Sequence, residues 1–196
     1  MGENILERLR NNHLLRYFSL DELIKIYEQK DMYIKAKIIV TELIKDKVDK
    51  AGKPYINHLF RVSDKLRESI EKVAGLLHDT LEDTDITYED LISVGFTCEV
   101  LDIVKIVTNN NDSSIKLSRE EKLRLYHEKI DKIIDSNNIH AIRLKEADMS
   151  DNYDLTRLKE LPIDMQEWFV QKYEMPLSKL RIRLGKVNAL NNWIDN

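Results

Sequence analysis

"VAGLLHDTLED", residues 73–83, is the stretch on which the fold turns. Val73, Ala74, Leu76 and Leu77 give a helical segment that is apolar on most of its sides, the pattern of a helix packed on all sides by others. The run ends in His78-Asp79, and Glu82 and Asp83 follow within one more turn. Acidic groups gathered at the end of a buried helix repel one another and resist desolvation unless a positive charge sits among them. The stretch therefore predicts a central helix with a cation at its C-terminal end.

The rest of the chain agrees with an all-α domain. It has only 5 Gly and 3 Pro in 196 residues, with apolar residues at helical spacing nearly everywhere. The segment up to about Gln29 reads as one or two amphipathic helices offering Leu6, Leu9, Leu14 and Leu15 to the core, and a helix through "MYIKAKIIVTELIKD" follows. "DKAGKP" is a loop, and Pro54 suits the first position of a helix in which Tyr55, Leu59, Val62, Leu66 and Ile70 define the buried face and His58 lies at its edge. Thr87 with Asp90 and Ser118 with Glu121 have capping-box spacing, Gly95 is a helix stop, and "NNNDSS", residues 109–114, is a polar loop. A helix over 139–152 puts Ala141, Leu144 and Asp148 together, with Lys145 and Asn152 beside Asp148 at spacings of three and four. Pro162 breaks the chain before a last helix carrying Trp168, Phe169 and Tyr173, which Pro176 should kink or interrupt.

No repeat, linker or low-complexity tract divides the chain, so residues 1–196 read as one domain, with helices in 1–30 and 164–184 packed on a central core. Hydrophobic residues at 42% and charged residues at 34% are a globular balance, and no apolar run is long enough to span a bilayer. "MGENILERLR" has no apolar signal region, and the single Cys98 allows neither an internal disulfide nor a thiolate zinc motif. A cytoplasmic protein without a membrane partner is expected. The formal charge of −4 offers no basic face for a nucleic-acid polymer. Locally, however, residues 45–72 hold eight Lys and Arg against five Asp and Glu, whereas residues 78–90 hold six Asp and Glu and no Lys or Arg. The contrast suggests an anion site beside a cation site.

A lone histidine is most often a hydrogen-bonded residue at the edge of a core. A carboxylate such as Asp148, placed mid-helix among apolar neighbours, is costly unless paired or metal-bound. Taken in order, His58 in "KPYINH", His78-Asp79 in "LLHDTLED" and Asp148 in "RLKEADMSDN" supply two imidazoles and two carboxylates, a donor set suited to manganese, iron or zinc. Lys50 and Lys53 flank Gly52 just ahead of the His58 helix, where they could meet phosphate, and Lys145 and Asn152 could reach a phosphate and a ribose hydroxyl.

With these motifs in hand, the sequence resembles the HD superfamily of metal-dependent phosphohydrolases. More narrowly it resembles the hydrolase domain of the RelA/SpoT alarmone enzymes and their small stand-alone relatives. The resemblance covers about residues 34–158 and rests on "DKAGKPYINH", "AGLLHDTLEDTDITYEDL" and "KEADMSDN" in the same order. It implies an HD-domain helical bundle and metal ligands His58, His78, Asp79 and Asp148. It favours Mn2+, with Fe2+, Zn2+ and Mg2+ as alternatives. Such a metal brings the pKa of a bound water from roughly 15.7 to about 7 and polarises a phosphoryl oxygen. The resemblance assigns water activation and proton transfer to Glu82 and Asp83, matches Asn152 to a nucleotide-contacting asparagine, and sets Tyr173 near the substrate. The expected activity is removal of the 3′-pyrophosphate of (p)ppGpp, a small-molecule nucleotide. The rival readings are hydrolysis of a nucleoside monophosphate or a dinucleotide phosphate and, from another class, a non-catalytic nucleotide-sensing module. Two positions depart from the family pattern: Asp49 stands where a basic pair often begins, and Leu59 where a proline follows the first histidine.

Overall fold

The computed structural model describes residues 5–109 and 117–194, and its regular elements are helices. In chain order they are α1 (Ile5–Leu9), a 3-10 turn (His13–Arg16), α2 (Leu20–Glu28), α3 (Met32–Leu43), α4 (Ile56–Lys65), α5 (Ser69–Leu77), α6 (Thr80–Asp83), α7 (Tyr88–Ser93), α8 (Cys98–Val107), α9 (Arg119–Asp135), α10 (Ile139–Asn152), α11 (Leu155–Leu158) and α12 (Ile163–Ile194). Beyond Asn109, the loop expected over 109–114 lies outside the described residues. Among those residues, no helix is long and apolar enough to cross a membrane.

The central helix expected within residues 73–83 is present, as α5. Val73, Ala74, Gly75, Leu76 and Leu77 are all buried, and α5 packs against α3, α4, α8 and α10. The α4–α5 contact is close because residue 75 is glycine. A Cβ there would lie 2.8 Å from Leu66 Cδ1 and 3.1 Å from the Ser63 Cα. Around this centre, α10 reaches α4, α8 and α9 as well, and α12 closes the bundle on α9 and α10. Both capping boxes form, at Thr87 with Asp90 and at Ser118 with Glu121. Gly95 ends α7 with φ +93°, a left-handed conformation that a side chain disfavours.

Four local expectations are corrected. Leu9 and Leu14 are fully buried, but Leu6 and Leu15 are 42% and 37% exposed: Leu6 lies on the outer side of the short α1, and Leu15 follows Leu14 in a 3-10 turn that presents only Leu14 to the core. The helix carrying His58 begins at Ile56, since Pro54 is held in an isolated bridge to Val48. That helix also ends earlier than the apolar spacing suggests. Leu66 and Glu68 are extended, and Ile70 belongs to α5; Leu66 is nonetheless buried, so the spacing ran unbroken across the junction. Finally, Pro176 does not interrupt the last helix, which runs from Ile163 to Ile194. An interior proline costs about 3 kcal/mol. Burial of Phe169, Tyr173, Leu177 and Leu180 on both sides of it offsets that cost.

One buried charge locks the central helices together. Glu71, in the first turn of α5, accepts the Glu68 N–H at 3.2 Å and binds His140 Nδ1 at 2.8 Å and Arg143 Nη1 at 3.0 Å, joining α5 to α10. Burial alone would raise its pKa, but the bonds to His140 and Arg143 outweigh it and hold the carboxyl below its ordinary value. A depressed carboxyl stabilises the fold above its unfolded pKa, and this contribution is lost as pH falls through the folded value. Glu71→Ala should cost about 2 kcal/mol in urea unfolding at neutral pH. The gap to wild type should narrow in acid; an equal gap at all pH values would rule out the ionic lock.

Candidate metal centre and its cavity

Two helices and the junction between two others bring the sequence-predicted ligands together. His58 comes from α4, His78 from the end of α5, Asp79 from the start of α6 and Asp148 from α10. His58 is only 2% exposed, so it belongs to the buried face of its helix and not to its edge. Its Nδ1 pairs with Asp151 Oδ2 at 2.8 Å, and His78 Nδ1 donates to the Gly75 carbonyl at 2.8 Å. Each ring thus keeps its Nδ1 side for the protein and turns Nε2 inward. Both Nε2 atoms are buried and have no hydrogen-bond partner. Asp148 Oδ1 lies 3.4 Å from His58 Nε2 and 3.7 Å from His78 Nε2, and Asp79 Oδ2 lies 3.9 Å and 3.1 Å from the same two atoms.

One donor atom each from His58, His78 and Asp79 falls within a 4.8 Å group, a possible divalent-metal site that Asp148 borders. The electrostatics point the same way. Burial opposes charge on His78, but Asp79 and Asp148 outweigh it and raise its pKa well above the ordinary value; His58 is raised too, against burial, by Asp148 and Asp151. Asp79 is lowered to about 2, as the His78 charge overcomes burial, and Asp148 is held well below the carboxylate range, chiefly by Lys145 against burial. The cluster demands positive charge, which imidazole protons or a divalent cation can supply. Two orphaned nitrogens and two carboxylates, each already oriented from behind, fit such a cation.

The orienting partners were mostly invisible in the sequence. Tyr55 donates its hydroxyl to Asp79 Oδ2 at 2.6 Å. Lys145 and Asn152, expected at the substrate, bond Asp148 itself, at 2.8 Å to Oδ2 and 2.6 Å to Oδ1, while also lining the cavity. Asp151 is 2% exposed and takes Arg61 through Nε and Nη2 at 2.8 and 2.9 Å, Lys65 at 3.2 Å and Arg157 at 2.7 Å, besides His58. Its only signal in the sequence was its place one turn after Asp148. Asp49 is also structural. Its Oδ1 accepts the Ala51 and Lys53 N–H groups, each at 2.9 Å, and Oδ2 accepts from Arg157 at 2.8 Å.

Above the ligands opens a cavity of about 360 Å³. Asp79, Glu82, Asp83 and Asp148 line it, and so do Lys50 and Tyr173 from the sequence-based set. Lys53 does not; it pairs with Glu160 at 2.6 Å. Burial raises the pKa of Glu82, although the Asn109 N–H bonds its Oε2 at 3.0 Å. Asp83 faces Lys47 at 3.3 Å. Tyr173 stacks on Phe169 with ring centroids 5.4 Å apart, and burial keeps its phenol neutral. Lys129 and Lys172, which line the same cavity, were not foreseen; they sit on helix faces that the sequence pattern reads as ordinary solvated charge.

Asp151→Asn should weaken manganese binding by about ten- to a hundred-fold, read by calorimetry on the purified chain. Unchanged affinity would show that His58 needs no anchoring carboxylate.

No family model matches the chain. It is 34% identical over 128 residues to a GTP pyrophosphokinase of Myxococcus xanthus, a match covering 62% of this chain and 17% of that one. It is 41% identical over 85 residues to a guanosine-3′,5′-bis(diphosphate) 3′-pyrophosphohydrolase of Danio rerio, covering 40% and 46% of the two chains. A protein of the same description from Drosophila melanogaster is 32% identical over 127 residues, covering 61% and 62%. The chain thus spans less than two thirds of the length of each of these relatives. Among solved structures, one described as a metazoan ortholog of SpoT that hydrolyses ppGpp superposes with a TM-score of 0.58 at 22% identity, over 80% of this chain and 97% of that one. The all-α fold is that of this neighbour, and the chain resembles the RelA/SpoT-type (p)ppGpp hydrolase domain and its small stand-alone forms in sequence as well as in motif.

Proposed function

We propose that the chain is a divalent-metal-dependent phosphohydrolase that releases pyrophosphate from the 3′ position of (p)ppGpp. The observation that carries this reading is the pair of buried, unpartnered Nε2 atoms of His58 and His78 facing Asp79 and Asp148 beneath a lysine-bearing cavity. The relatives' names supply the substrate. His58, His78, Asp79 and Asp148 would hold the cation, manganese by resemblance. When bound, it would supply Lewis acidity that makes water a stronger acid and, by polarising a phosphoryl oxygen, makes phosphorus more electrophilic.

The remaining work falls to the chain's own groups. Glu82, its carboxyl pKa raised by burial, is suited to take a proton from the attacking water. The water oxygen bonds to phosphorus as the bond to the 3′ oxygen breaks, and that oxygen must gain a proton, which Asp83 is placed beside Glu82 to relay. Tyr55, Lys145 and Asn152 keep Asp79 and Asp148 aimed during this exchange. Asn152 and Tyr173 line the space for the nucleotide. Because Asp49 stands where related sequences carry a basic residue, another phosphorylated nucleotide is the competing substrate within the same chemistry.

Incubation of the manganese-loaded protein with ppGpp and a nucleotide panel, followed by anion-exchange chromatography, should give GDP and pyrophosphate. Glu82→Gln should lower kcat by about 10²- to 10⁴-fold while retaining metal, and His78→Ala should abolish turnover. Full activity in the His78→Ala protein would overturn the metal mechanism; turnover of a different nucleotide alone would overturn the substrate.

A further inference from the structure

The acidic cluster has a counterpart in the same cavity that the ligand set does not explain. Lys50, Lys129, Lys145 and Lys172 reach it from four separate elements: the loop before α4, then α9, α10 and α12. Lys145 is neutralised by Asp148 at 2.8 Å. Among the described residues, none of the other three forms an ion pair. Instead the ammonium groups of Lys172 and Lys50 rest on aromatic faces. Lys172 Nζ lies 4.4 Å from the Tyr126 ring centroid and 5.0 Å from that of Tyr173, Lys145 Nζ lies 5.7 Å from the Tyr126 centroid, and Lys50 Nζ lies 4.4 Å from that of Phe169.

Two ammonium groups thus share one tyrosine ring; Lys145 also has Asp148, whereas for Lys172 the cation–π attraction compensates only part of the desolvation and of the repulsion between the two. Burial, reinforced by Lys145 and Lys50, pushes Lys172 down to about 8, and burial lowers Lys129 as well, in both cases against the pull of Glu82 across the cavity. Aromatic rings that hold lysines in place without neutralising them leave those charges available to a ligand.

We infer that Lys172 and Lys129, with Lys50 beside them, form a second anion subsite that holds a phosphate group of the substrate other than the one cleaved at the metal centre. This deepens the hydrolase reading and rests on it for the identity of the substrate. It makes the enzyme selective for nucleotides phosphorylated at two separated positions: the carboxylate-held cation takes one phosphate group and the lysines the other. The cavity, at about 360 Å³, is within the range of small-molecule sites.

The probe is GDP, a nucleoside 5′-diphosphate with no 3′ phosphate, titrated calorimetrically into the whole chain after chelator treatment, so that the carboxylate cluster cannot hold it through a cation. Wild type should bind GDP with an affinity that falls as salt rises. Lys172→Met, which keeps the aliphatic stem, should weaken binding about ten-fold, and Lys172→Arg should restore most of it. Lys129→Gln gives a second test should Lys172→Met fold poorly by circular dichroism. With ppGpp as substrate, the loss should appear in KM and not in kcat. Absence of GDP binding by wild type, or equal binding by Lys172→Met and Lys129→Gln, would overturn the subsite even if manganese-dependent hydrolysis is observed. GDP binding that depends on the lysines in a protein that hydrolyses no nucleotide would uphold the subsite and remove the hydrolytic reading.

Discussion

The structure depends on one electrostatic constraint: two imidazoles and two carboxylates must be held facing one another at a helix crossing largely shielded from water. Each ring must keep its Nε2 turned to the centre, so neither can be left free to flip. Hydrogen bonds behind the rings meet this requirement, Asp151 for His58 and the Gly75 carbonyl for His78. Gly75 contributes twice, since its missing side chain also lets α4 come close enough to bring His58 to His78, their ring centroids 5.4 Å apart. The Glu71 bonds to His140 and Arg143 then fix α5 against α10, which carries the remaining carboxylate. A helix contact, a tautomer and a ligand set are therefore one design problem, solved around the end of α5.

This explains which features could be read from the sequence. The grouping of His58, His78, Asp79 and Asp148 was legible because costly residue types recur in a fixed order against apolar background, and the α5 core was legible because it has no polar face. Tyr55, Asp151 and Arg157 were not, since each acts through a contact between distant segments; the Arg157 bond to Asp49, for instance, joins positions 108 residues apart. Lys53 and Lys50 are alike in the sequence, three residues apart on the same loop, yet Glu160 takes Lys53 away while Phe169 holds Lys50 at the cavity. Apolar spacing misled where a break in the helix preserved burial, as at Leu66. Propensity misled where tertiary burial was strong enough to carry α12 through Pro176.

Charge is distributed so that neither cluster is self-sufficient. Behind His58, a single carboxylate, Asp151, is shared among Arg61, Lys65 and Arg157, and only part of that surplus is returned to Asp49. In front of His58, carboxylates outnumber cations until the histidines are protonated or a metal binds. The positive shell behind and the lysines in the cavity both attract anions, while Asp79 and Asp148 attract a cation. Complete neutralisation by fixed side chains would have given a more stable protein with nothing left to bind.

Asp49 shows how that balance is kept when one charge in the loop before α4 is reversed. A free carboxylate at the cavity mouth would repel phosphate, but Asp49 has no free oxygen: two backbone N–H groups and Arg157 consume it, holding its carboxyl below the ordinary value against burial. The loop is thereby fixed by its own acid, and Lys50 is carried to the cavity from a rigid turn. The cavity then receives positive charge from α9 and α12 together with this loop, elements far apart in the chain. Contacts of this kind leave almost no trace in a motif: in the sequence Asp49 is one reversed charge, and in the structure it also holds the loop in place.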